Sequence, residues 1–100
     1  MTVFAVEYRY AANSAAVRDE YRPAHREFLS GFIGEGAAIE LIASGPYTES
    51  DGALLLLRAE GEAALREVLQ QDPFNIHGTL ESVVINAWNP VTGALSAFAS

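Results

Sequence analysis

Ala53-Leu54-Leu55-Leu56-Leu57-Arg58-Ala59 contains five consecutive apolar residues before its first charge. A strand with one wet face alternates apolar and polar residues. This stretch does not, so it predicts a strand with apolar side chains on both faces of its sheet. Glu49-Ser50-Asp51-Gly52 immediately before it is a polar turn, and Ala37–Ser44 upstream predicts a partner strand closed by the turn signal Gly45-Pro46.

Toward the N-terminus, Val3–Tyr10 does alternate. Phe4, Val6, Tyr8 and Tyr10 share one side and Val3, Ala5, Glu7 and Arg9 the other, which predicts a first strand with an aromatic face. Asn13 or Ser14 can cap a short helical turn through Glu20. Pro23 suits the first turn of a helix, where its missing N–H costs nothing. From there Phe28, Leu29, Phe32 and Ile33 recur at helical spacing, with Gly34 and Gly36 as the stop. Toward the C-terminus, Gly61 opens a second helix, Glu62–Gln71, with Ala64, Leu65, Val68 and Leu69 inward. Asp72-Pro73 halts it, because proline disfavours helical geometry in the residue before it. Phe74–Gly78 reads as irregular, and Leu80–Trp88 as a last strand ended by Asn89-Pro90.

The order strand, helix, strand, strand, helix, strand is the ferredoxin-like α+β arrangement, a four-stranded antiparallel sheet with both helices on one face. Residues 1–90 form the single domain. Residues 91–100 form a C-terminal tail of small residues, either frayed or packed on a partner. Helices on one face leave the second apolar face of the sheet to be covered, and a homodimer packing sheet on sheet is the simplest cover.

The 100 residues carry 6 basic and 13 acidic side chains, a net charge of −7. A nucleic-acid binder needs the opposite field, and anionic membranes repel this one. With no cysteine, thiolate nucleophiles, thiolate metal sites and disulfides are excluded. Glu7 and Arg9 interrupt the N-terminal apolar stretch, so it does not read as a signal peptide. No apolar run approaches the ~20 residues of a membrane span. The expectation is a soluble cytoplasmic protein.

Only two histidines are present. His25 shares a helical stripe with Leu29 and Phe32, so it faces the sheet or its edge. It is either a hydrogen-bonded core histidine or a general acid/base, since imidazole titrates nearest neutrality. Asp72, at a helix C-terminus, opposes the macrodipole. Either it forms a turn or it is kept there by a cationic partner, and side-by-side helices bring His25 within reach. Ser44-Gly45-Pro46 is a tight turn, or a place where a backbone approaches a ligand and Ser44 donates to it. Arg22 and Arg26 flank His25 and suit an anion, or are simply solvated. Phe74 and Trp88 are core, interface or pocket-wall aromatics. His77 has no ligand partner at metal-binding spacing, so no metal site is expected.

Arg22-Pro23-Ala24-His25-Arg26-Glu27-Phe28-Leu29, Ser44-Gly45-Pro46, Gly52-Ala53-Leu54-Leu55, Asp72-Pro73-Phe74 and Trp88-Asn89-Pro90 together resemble the YCII (YciI-like) family, in order over residues ~3–90. The resemblance implies a ferredoxin-like fold assembled as a dimeric α+β barrel. It also implies a His–Asp dyad, at His25 and Asp72. Most members have no assigned reaction; a characterised relative removes chloride from a chlorinated hydroxyquinol, and related barrels include muconolactone isomerases and cofactor-free monooxygenases. His77 stands where the family pattern suggests a small residue, and the tail after Pro90 has no counterpart.

The leading expectation is a cofactor-independent lyase or isomerase acting on a small oxygenated molecule, cyclic ones included. His25 would shuttle the proton and Asp72 would hold its tautomer. Arg22, Ser44 and the Gly45 backbone would contact substrate oxygens beside Pro46, with Phe74 or Trp88 as the wall. No metal or nucleotide is required. The alternatives are a non-catalytic dimeric binding module for a small molecule, and a structural dimer in which His25 and Asp72 only join the helices.

Overall fold

β1 (Thr2–Tyr10) lies between two antiparallel partners, β3 (Gly52–Ala59) and β4 (Leu80–Ala87), and β2 (Glu40–Pro46) adds to the outer side of β3. The sheet order is therefore β2-β3-β1-β4, that of the ferredoxin-like fold. The computed structural model describes residues 1–33 and 38–100. Its helices are α1 (Ala15–Ser30), α2 (Glu62–Leu69) and the single turn α3 (Pro73–Ile76).

Strand register explains the leucine run. Leu55 and Leu57 stand opposite Val6 and Phe4, and all four are buried against Leu29 of α1 and Leu65 and Leu69 of α2. Burying a leucine fully is worth about 1.5–3 kcal/mol, so these pairs anchor the helix layer. Leu54 and Leu56 point to the other side, where Leu54 is 37% exposed and Leu56 half-buried. Within one chain, then, the run is buried on one face and apolar but open on the other.

The first helix differs from the sequence reading. One continuous helix runs from Ala15 to Ser30 with Pro23 inside it, instead of a short turn followed by a helix that starts at Pro23. An interior proline frees the carbonyl four residues back. Here that is Asp19, and both residues are exposed, so water can take the freed acceptor. Ser30 is the last helical residue. Phe32 follows in a turn whose carbonyl accepts from the Leu41 N–H, and Ile33 is 68% exposed, outside the apolar stripe. The stop assigned to Gly34 and Gly36 lies outside the described residues, as does Ala37 at the expected start of β2.

Gly45-Pro46 closes no turn; both residues belong to β2. Proline is tolerated there because β2 is an edge strand with no further neighbour to take an N–H. The turn itself falls at 47–51, where the Tyr47 N–H donates to the Gly52 carbonyl at 2.8 Å. Gly52 has to be glycine: an added Cβ would lie 2.5 Å from the Tyr8 carbonyl oxygen.

Residues 91–100 fold back toward the start of β1. The Ser100 N–H donates to Asn89 Oδ1 at 3.1 Å, and Phe98 places its ring 5.6 Å from the guanidinium carbon of Arg58.

Candidate active site

Asp72 is where the structure departs most usefully from the sequence reading. It does not oppose the dipole of α2, which ends at Leu69. It is the N-cap of α3, and its Oδ1 accepts from the Phe74 N–H at 2.9 Å, with Pro73 at the first helical position. A carboxylate there is favourable, because it answers unpaired N–H groups and the positive end of the helix. The segment read as irregular is this helical turn. Thr79 fixes its end by donating through Oγ1 to the Phe74 carbonyl at 2.7 Å.

The carboxylate is fully buried and takes two further hydrogen bonds. Tyr8, from the middle of β1, donates its hydroxyl to Oδ2 at 2.9 Å. His25, from α1, places Nδ1 2.8 Å from Oδ1 and 2.9 Å from Oδ2. An ionised carboxylate has only acceptors, so His25 must carry its proton on Nδ1. In the neutral ring that leaves Nε2, on the far side, with the lone pair. The ring is clamped as well: Phe74 stacks on it with centroids 4.0 Å apart and planes 3° from parallel. The His25 side chain keeps 14% exposure.

Burial, then the charge of Asp72 and the hydrogen bond to it, push the Tyr8 phenol far above its ordinary range. Tyr8 is therefore a fixed donor and not a proton carrier at neutral pH. An unfolded chain ionises this phenol near pH ~10 while the folded one holds its proton, so this contribution to stability is complete below that pH and is lost as pH rises above it. In an alkaline titration followed by phenolate absorbance, Tyr8 is expected to ionise only as the protein unfolds. A folded wild type that yields one phenolate more than folded Tyr8→Phe at the same pH would contradict this.

The exposed edge of His25 opens into a cavity of about 610 Å³, within the usual range for small-molecule sites. Arg22, Ser44, Gly45, Pro46 and Phe74, all singled out in the sequence, line it together with His25. Gly45 offers backbone only, and a methyl at that position would meet nothing within 4 Å. Trp88 is not brought to this cavity. It stands at the opposite end of the sheet, 41% exposed, beside Met1, Val3 and Phe98. His77 is also elsewhere; it stacks on Tyr21 with centroids 3.6 Å apart. Among the described residues, no three His, Cys, Asp or Glu side chains are grouped to hold a metal ion, and no helix is long and apolar enough to cross a membrane.

Sequence reasoning does not place Tyr8, Tyr10, Arg18 or the polar turn before β3 at the site. For Tyr8 a signal was present: a tyrosine on the aromatic face of a strand needs a partner for its hydroxyl.

A model of the YCII-related domain matches residues 2–89. No curated protein matches the chain. Among solved structures, the chain is similar to 5-chloro-2-hydroxyhydroquinone dehydrochlorinase (TftG) from Burkholderia phenoliruptrix AC1100, in complex with 2,5-dihydroxybenzoquinone, at 19% identity and a TM-score of 0.74 over 87% of this chain and 93% of that one. It is also similar to protein Atu4242 from Agrobacterium tumefaciens, at 12% identity and a TM-score of 0.58 over 96% of this chain and 97% of that one. Both likenesses are of fold.

Proposed function

The chain belongs to the YCII-related family, and from that premise we propose that it is a small-molecule enzyme, a lyase or isomerase, in which His25 is the general base and acid. The carrying observation is the bond from His25 Nδ1 to a buried carboxylate at 2.8 Å, in a ring that lines a cavity. Nε2 takes a proton from an acidic O–H or C–H of the substrate. The electron pair left behind forms a new C=O or C=C bond. Either it expels a leaving group, or the imidazolium returns the proton to a different atom. Asp72 stabilises the imidazolium in between and does not itself take the proton.

The substrate class is a small oxygenated, cyclic molecule. The dehydrochlorinase of similar fold, bound to a dihydroxybenzoquinone, supports this, as does a cavity with a polar edge at Arg22 and Ser44 and an apolar floor at Leu29, Leu55 and Phe74. The reaction as proposed asks nothing of a cofactor. The active form is a homodimer that covers the open sheet face around Leu54 and Leu56.

Two measurements test the reading. Long-range ¹H–¹⁵N correlation should find neutral His25 protonated at Nδ1, and Asp72→Asn should abolish that preference. A panel of small hydroxyquinols, halogenated hydroxyquinols and hydroxyquinones, followed by absorbance and NMR, should yield a compound that wild type converts and His25→Gln does not. A ligand bound tightly by both proteins and converted by neither would make the protein a binding module.

A further inference from the structure

In a chain of net charge −7 with six basic side chains, three of the six, Arg18, Arg22 and Arg26, line the cavity that holds His25. Four-residue spacing on α1 sets them on one stripe, about 6 Å apart along the axis. Like charges at this spacing oppose the helix, so the stripe calls for an anion. The chain supplies little of one. Arg22 pairs with Asp19 at 2.6 Å in an exposed contact, a kind worth little in water. Arg18 donates through Nε to Ser14 Oγ at 3.0 Å and lies 3.9 Å over the Tyr10 ring, so it is positioned without being neutralised. Among the described residues, neither Arg18 nor Arg26 has a carboxylate within ion-pair distance. Glu49 and Asp51 line the cavity from the turn 47–51. Both are exposed, and neither pairs with an α1 arginine.

The remaining wall is suited to a ring. Leu29, Leu55 and Phe74 are apolar and buried, and the buried Asp72 charge is already answered by Tyr8, His25 and the Phe74 N–H. The guanidinium fork matches the paired oxygens of a carboxylate better than a lone neutral oxygen.

Resting on the enzyme reading above, we propose that the substrate is a small cyclic monoanion, whose carboxylate or ionised acidic hydroxyl is held by Arg22 and Arg26 while its ring lies on the apolar wall beside His25. NMR titration with benzoate and with benzamide, the same ring without the charge, tests this. Benzoate is expected to move the His25 and Arg26 signals and to bind at least about tenfold more tightly than benzamide, as charge-assisted hydrogen bonds warrant. Added salt should weaken benzoate alone. Arg22→Gln/Arg26→Gln should lose the preference and keep benzamide affinity; should that variant not fold, Arg26→Gln alone, at an exposed position, should reduce the preference. Equal affinity for the two ligands, no binding of benzoate, or a preference that survives the arginine substitutions overturns the proposal. The titration reads binding without turnover. A cavity that selects the anion in a protein that converts nothing would overturn the enzyme reading and leave the arginine stripe as an anion-binding site whose ligand is not a substrate.

Discussion

Asp72→Ala is expected to cost the fold about 3–5 kcal/mol, read as a lower midpoint in urea with an unchanged slope. The carboxylate is fully buried and accepts from Tyr8, His25 and the Phe74 N–H. Removing it strands the Tyr8 hydroxyl and the Phe74 N–H in a dry interior and opens a small void. It also uncaps α3, the element that carries the aromatic clamp on His25. For a domain of this size such a loss is a large part of the total, which is typically about 5–15 kcal/mol. Tyr8→Phe removes one donor and leaves the others paired, so it should cost about 1 kcal/mol. Made together, the two changes should cost less than their sum, because each removes part of the same contact. An Asp72→Ala loss below about 1 kcal/mol would mean that the buried carboxylate does not organise this junction.

The second large effect is on turnover. Once a substrate is in hand, His25→Gln is expected to lower kcat about 10²–10⁴-fold, the usual worth of a positioned acid/base, with a much smaller change in KM. Glutamine can still donate to Asp72, so the fold should survive; what it lacks is a nitrogen that can take a proton. Asp72→Asn should fall in the same range by a different route. An amide offers His25 Nδ1 a donor as well as an acceptor, and the imidazole can then turn its lone pair away from the substrate. Turnover within threefold of wild type in His25→Gln would remove the histidine from the chemistry.

Much of this was legible in the sequence. The alternation of Val3–Tyr10, the leucine run of β3 and the apolar stripe of α2 each state their element locally, and their order leaves few topologies. What was not legible depends on partners far along the chain. Pro23 looked like a helix start because local rules place proline there. The helix runs through it because Leu29, packed in the core, and His25, bonded to Asp72, hold α1 in place, and the freed carbonyl belongs to the exposed Asp19. Asp72 looked like an obstacle at the end of α2. Its role as a cap appears only with α3, one turn long and too short for periodicity to reveal. The pairing of Tyr8 with Asp72 spans 64 residues, and no local pattern carries such a distance. By residue type Trp88 reads as a core, interface or pocket-wall aromatic; it follows the end of β4 and so stands at the other end of the sheet from the cavity.

The cavity has two walls of different construction. On one side β1, α1 and α3 are bolted together by the Asp72 hydrogen bonds and by two ring stacks, His25 on Phe74 and Tyr21 on His77. On the other, the end of β2 and the turn 47–51 are exposed apart from a half-buried Tyr47 and meet the rest of the chain mainly through strand pairing. On the proposed reading, changes in the first wall would disturb proton transfer and folding together. Changes in the second alter shape and polarity while leaving the histidine where it is. Such a division suits a scaffold for diversification: the His25–Asp72 junction can be inherited intact while new molecules are accommodated by editing a single hairpin.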